Sequence, residues 1–140
     1  MRLLCNLFDG MVAVEGGKGT PAGPLYNELP DRLADSLFLV ALGYAIACPW
    51  LGWLAALLAA LTAYIRALGG ALGQAQDFRG PMAKPHRMWL LGLALVLAAL
   101  VPAWRQPILL ATATAIAAGA ALTCVTRTRA IAAQLNRDEA

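Results

Sequence analysis

Four apolar stretches, each almost without charge, constrain this chain more than any other feature. They cover residues 33–48, 50–67, 88–104 and 107–125. Each approaches the roughly 20 residues that a helix needs to cross the hydrocarbon layer of a bilayer, and the first is the shortest. A helix satisfies its backbone hydrogen bonds internally, so it is the element that lipid selects. Composition argues against a soluble fold: of 140 residues, 60% are hydrophobic and 14% charged, and the mean hydropathy is +0.63. A soluble domain this small needs far more charge to cover its surface. The sequence therefore predicts an all-α, polytopic membrane helical bundle, a single domain over residues 1–140, with four full transmembrane helices.

The joints between the stretches set their direction. Cys48-Pro49-Trp50 and Trp104-Arg105-Gln106-Pro107 allow only tight helical hairpins, so both face one side of the membrane and residues 66–87 face the other. Ten of the eleven Lys and Arg residues then share a side: Arg2, Lys18, Arg32, Arg66, Arg79, Lys84, Arg87, Arg127, Arg129 and Arg137. Arg105 alone lies opposite. Positive residues accumulate on the cytoplasmic face. The expected setting is the inner (plasma) membrane, multi-pass, with both termini inside. Trp50, Trp53 and Trp104 are expected at the outer interface and Trp89 at the inner one. The net charge of +3 is not gathered into a patch, so no nucleic-acid partner is expected. Cys5, Cys48 and Cys124 are scattered, with no Cys-x-x-Cys pair, and read as small buried residues. Residues 1–14 are apolar, but Asn6 and Asp9 interrupt them and no small-residue cleavage site follows, so a cleaved secretion signal is not expected.

The residues that carry chemistry crowd into the first 35 positions. Asn6, Asp9 and Ala13 are spaced three and four apart, one stripe on a helix. Gly10 beside them permits a close approach to the backbone. Asn27, Asp31 and Asp35 form a second stripe where the chain enters the first apolar stretch. A carboxylate at membrane depth is costly unless paired or solvated, and by default it signals function. Two acidic stripes on neighbouring helices suit a hard divalent cation held through oxygen. The plainer alternative makes Asp31 and Asp35 interfacial residues paired with Arg32 or Lys18, and Asp9 a helix-end residue.

Read together, these positions give Asn6-x-x-Asp9-Gly10-x-x-Ala13-Val14, eight residues, then Gly23-x-x-x-Asn27-x-x-x-Asp31. The pattern resembles the signature of the CDP-alcohol phosphatidyltransferases, Asp-x-x-Asp-Gly-x-x-Ala-Arg, then eight or nine residues, then Gly-x-x-x-Asp-x-x-x-Asp. Every spacing fits. Asn6 and Asn27 stand where that signature has its first and third Asp, Val14 stands where it has Arg, and Asp35 adds a carboxylate one turn further on. A branch of the family carries this Asn/Asn arrangement with an extra Asp. The spans after the motif also match the family's layout.

The resemblance implies a phosphotransferase of phospholipid biosynthesis that moves a phosphatidyl group from CDP-diacylglycerol to an alcohol and releases CMP. It implies Mg²⁺ or Mn²⁺ held by Asp9, Asp31, Asp35, Asn6 and Asn27, and room for the nucleotide at Gly10, Ala13 and Gly23. It implies an Asp general base on the acceptor hydroxyl, Asp31 by register or Asp35 by the extra turn, with Asp35 favoured. Val14 cannot supply the charge of the family's Arg. Family members have six membrane helices with the motif at the end of the second. This chain is therefore expected to hold four full transmembrane helices plus the end of a preceding helix, and to lack the family's N-terminal end. The expected partners are the lipid bilayer, CDP-diacylglycerol and an alcohol acceptor, glycerol 3-phosphate by default, with a homodimer open as an assembly. An inactive fragment, a non-catalytic membrane scaffold and a small transporter are the alternatives.

A second basic segment, Arg79-Gly80-Pro81-Met82-Ala83-Lys84-Pro85-His86-Arg87, opens the third apolar stretch and resembles a Gly-Pro-Met-x-Lys segment of that branch. Lys84, Arg87 and also Arg66 are candidates for binding a phosphate of the acceptor or lipid. Their plain alternative is anchoring at the positive face. Lone His86 reads as an interface residue. Glu15-Gly16-Gly17-Lys18-Gly19-Thr20 is no phosphate loop, because Gly19 rather than Ser or Thr follows Lys18.

Overall fold

The structure is a computed structural model that describes residues 23–74 and 82–138. These residues form four α-helices: α1 (Gly23–Ala45), α2 (Pro49–Ala71), α3 (Lys84–Leu100) and α4 (Arg105–Asp138). One 3-10 turn, Pro102–Trp104, joins α3 to α4, and no strand occurs among the described residues. The all-α class expected from the sequence is what they show. The chain divides into two compact units, residues 1–33 and 34–140. In the first, Arg32 pairs with Glu28 one turn before it at 2.6 Å. The second unit holds the remainder of α1 together with α2, α3 and α4.

α1, α2 and α3 each stop for a local reason. Past α1 the chain turns through Ala47 at φ 55°, a left-handed conformation rare outside glycine. There the Ala47 amide donates to Tyr44 O and the Cys48 amide to Gly43 O, at 3.1 and 2.9 Å. This closure satisfies carbonyls that the helix end leaves open. Pro49 then starts α2 at the position where a missing N–H costs nothing. Past α2 the same closure recurs with Gly73 at φ 79°, Gly73 donating to Gly70 O and Gln74 to Gly69 O. Pro102 stops α3.

Helix limits depart from those of the apolar stretches at three places, one being the second joint, which is the turn Pro102–Trp104 after Leu100 rather than residues 104–107. α1 begins at Gly23 rather than near residue 33, so the polar residues preceding the first apolar stretch are helical. Pro30 lies inside α1, where it removes one backbone donor without ending the helix. α4 does not end near residue 125 but runs on through the polar tail to Asp138, 34 residues in all. The polar tail adds Arg and Gln, which are good helix formers, and no Gly or Pro to break the helix.

The interior is built from small side chains. Ala55 and Ala59 on α2, Ala94 and Ala98 on α3, and Ala113 and Ala120 on α4 are buried, with Leu39, Leu42 and Ile116 filling between them. At the α1–α2 crossing the backbones themselves touch. A Cβ added to Gly43 would lie 2.6 Å from the Gly52 Cα, and one added to Gly52 would lie 2.7 Å from Leu39 O. The two short joints meet at this end, where Gln106 Nε2 donates to Ile46 O at 3.4 Å. Threonine hydroxyls in the apolar helices donate back to their own helix, as Thr112 does to Ile108 O at 2.8 Å.

Large apolar side chains also cover the outside, among them Trp50, Trp53, Leu57, Tyr64, Trp89 and Leu100. Among the described residues, two helical segments are long and apolar enough to cross a membrane, Pro49–Ala71 and Pro102–Arg137, of 23 and 36 residues. α1 carries Glu28, Asp31, Arg32 and Asp35, and α3 is 17 residues long.

Candidate functional site

The end of this unit away from the short joints is polar inside. Asp35 on α1 and Arg87 on α3 are each only 2% exposed, and Arg87 Nη2 donates to Asp35 Oδ2 at 3.4 Å. A charge-assisted bond is typically about 2.7–2.9 Å, so this pair is loosely held. Arg87 Nη1 also donates to Met82 O at 3.1 Å, and the Met82 amide donates to Thr123 Oγ1 at 3.2 Å. The guanidinium thus ties α1 to the start of α3 and, through Met82, to α4. Four residues beyond Thr123 on α4, Arg127 is 5% exposed and donates from Nη1 to Thr62 O on α2 at 2.9 Å. All four helices contribute to this buried polar region. Burying charge costs several kcal/mol per ion, on the order of the stability of a small domain, unless partners compensate. Such groups persist where function or a specific packing requires them.

Asn6, Asp9, Gly10 and Ala13 lie outside the described residues. Gly23 opens α1, and Asn27 follows one turn later on it. Asp31 is half-buried on α1 in the first unit, and Asp35, four residues on, is buried in the second. Lys84 is half-buried at the first position of α3, and Arg66 is half-buried near the end of α2. The structure brings Asp35 and Arg87 together, two residues that the sequence assigned separate roles.

Arg127, Thr62 and Thr123 were not among the expected site residues. Arg127 begins the polar tail, so by sequence it reads as an anchor at the membrane edge. Its four-residue spacing from Thr123 on one helix face was the available signal.

Among the described residues no three His, Cys, Asp or Glu side chains gather into a metal-holding group. Asp31 and Asp35 are the described carboxylates of the ligand set that the motif implies, and carboxylate oxygen is the right chemistry for Mg²⁺ or Mn²⁺. No protein family, curated protein or solved structure matches the chain.

Proposed function

We propose that this chain is a membrane-embedded phosphotransferase of the CDP-alcohol phosphatidyltransferase kind, transferring a phosphatidyl group from CDP-diacylglycerol to an alcohol. The observation that carries the reading is a buried carboxylate, Asp35, facing a buried guanidinium, Arg87, one helical turn beyond the Asn27–Asp31 stripe of the spaced motif. The apolar exterior and the two long apolar helices support a bilayer setting, and the proposal extends them to four spans of the inner membrane. The polar end then faces the cytoplasm, because Arg66, Lys84, Arg87, Arg127, Arg129 and Arg137 all stand toward it along their helices.

In this reading Asp35 accepts the proton of the acceptor hydroxyl, and Arg87 holds the carboxylate in place through Oδ2. The hydroxyl oxygen forms a bond to the phosphorus that bears diacylglycerol. The bond from that phosphorus to the bridging oxygen breaks, and CMP leaves with the electron pair. Lys84 and Arg66 serve the phosphates of acceptor or lipid. Asp9 and Asp31, with Asn6 and Asn27, are the residues to hold Mg²⁺ or Mn²⁺, which when bound offsets charge on the diphosphate.

The test is CMP release from CDP-diacylglycerol with glycerol 3-phosphate or a polyol as acceptor, in detergent–lipid micelles. Asp35→Ala is expected to lower release about 10²–10⁴-fold, the usual contribution of a general base. Asp9→Ala and Asp31→Ala are expected to remove the release that divalent ion supports, or to raise the ion concentration it needs. Unchanged release in all three variants refutes the proposal.

A further inference from the structure

Beyond the polar end, a groove of about 460 Å³ opens between α1 and α3 and closes against the joint that leads into α4. Its walls are aliphatic or aromatic, with Phe38, Leu42 and Ala45 on α1 and Leu91, Leu95 and Ala99 on α3. Arg105 contributes the one charged side chain of its lining, at the joint end. Among the described residues of this unit, every other Lys or Arg stands toward the opposite end of its helix. Arg105 is therefore a cation set against the charge bias of the described residues of this unit, at the mouth of an apolar slot.

The dimensions narrow the occupant. Lining residues 38–45 of α1 and 91–99 of α3 run over about 10 and 12 Å at ~1.5 Å per residue. One leaflet of a bilayer is about 15 Å of hydrocarbon, half the core thickness. Trp104, exposed beside Arg105, suits the level where hydrocarbon meets headgroups. The volume lies within the roughly 300–1,000 Å³ of small-molecule sites. A small free anion would leave the aliphatic walls unfilled, and an apolar helix would bury the guanidinium without a counter-charge.

We propose that this groove binds one anionic phospholipid of the leaflet at the joint end, an acyl chain lying between α1 and α3 and the phosphate on Arg105. The site is separate from the Asp35–Arg87 end and presupposes only the membrane setting of the proposed function, not its chemistry.

The experiment places the full chain in nanodiscs made of equal parts phosphatidylcholine and phosphatidylglycerol with identical acyl chains. Lipids retained after release are counted by native mass spectrometry. The wild type is expected to keep one phosphatidylglycerol in preference to phosphatidylcholine. Arg105→Gln is expected to lower that preference about tenfold, as loss of a charge-assisted contact predicts. Ala99→Phe and Ala41→Phe, at exposed lining positions, are expected to remove the retained lipid of either kind. Equal retention in wild type and all three variants overturns the site. So does a phenylalanine variant that changes the number of chains per particle, which would make the groove a contact between copies. Retention that depends on the phenylalanines but not on Arg105 also overturns it, since the headgroup then lies elsewhere. Failure of the wild type to enter nanodiscs at all overturns the membrane reading instead.

Discussion

The two ends of the helical unit after residue 33 solve packing in opposite ways. At the joint end the helices touch by backbone: Gly43 and Gly52 leave no space for even one added carbon between them. Among the described residues no charged side chain is buried there. At the other end Asp35, Arg87 and Arg127 are buried together, and long side chains rather than backbone contacts bridge neighbouring helices. Small residues let apolar helices lie close where water offers no hydrophobic push, while a buried charged group needs both volume and partners. Backbone contact at one end and long polar side chains at the other thus join the same helices.

The sharpest way to break this comparison is to remove one half of the buried pair. Asp35→Ala or Arg87→Met alone is expected to cost up to about 3–5 kcal/mol, because each removes an opposite charge that the other faces in the interior, whereas the double replacement recovers part of that loss. Thermal unfolding in micelles measures the cycle, and additive single and double effects would show that the two side chains do not depend on each other. A smaller effect is expected at the joint end. Gly52→Ala must push α1 from α2 and is expected to cost about 1–3 kcal/mol, the range of overpacked cores. The smallest effect belongs to Gly92, where an added Cβ meets nothing within 4 Å. Gly92→Ala is expected to be neutral or stabilising by up to about 1 kcal/mol, from helix propensity alone. If Gly52→Ala and Gly92→Ala behave alike in the same melt, backbone contact does not govern the joint end.

Much of the helical layout was legible in the residues. Pro49 marked the first joint, whereas the second, expected at residues 104–107, lies at Pro102–Trp104, and the apolar stretches marked the middle of each helix. Helix ends in polar sequence were less legible, because α1 from Gly23 and α4 to Asp138 extend through residues with no strong breaker. The candidate site was legible only in part. Asp31 and Asp35 stood out by spacing and by their place beside an apolar stretch, and Arg87 by its basic neighbours. That Arg87 turns inward onto Asp35, and that Arg127 turns inward onto Thr62 O, depends on which face of α3 and α4 meets the bundle.

The amino-acid sequence by itself determined an apolar, all-helical chain with two tight joints, because charge, hydropathy and proline act locally along the chain. Tertiary structure alone decided which polar residues are buried together. Asp35 and Arg87 are 52 positions apart, and Arg127 and Thr62 are 65 apart. No periodicity within one helix encodes such meetings, since they follow from how the small-residue faces of separate helices seat against one another.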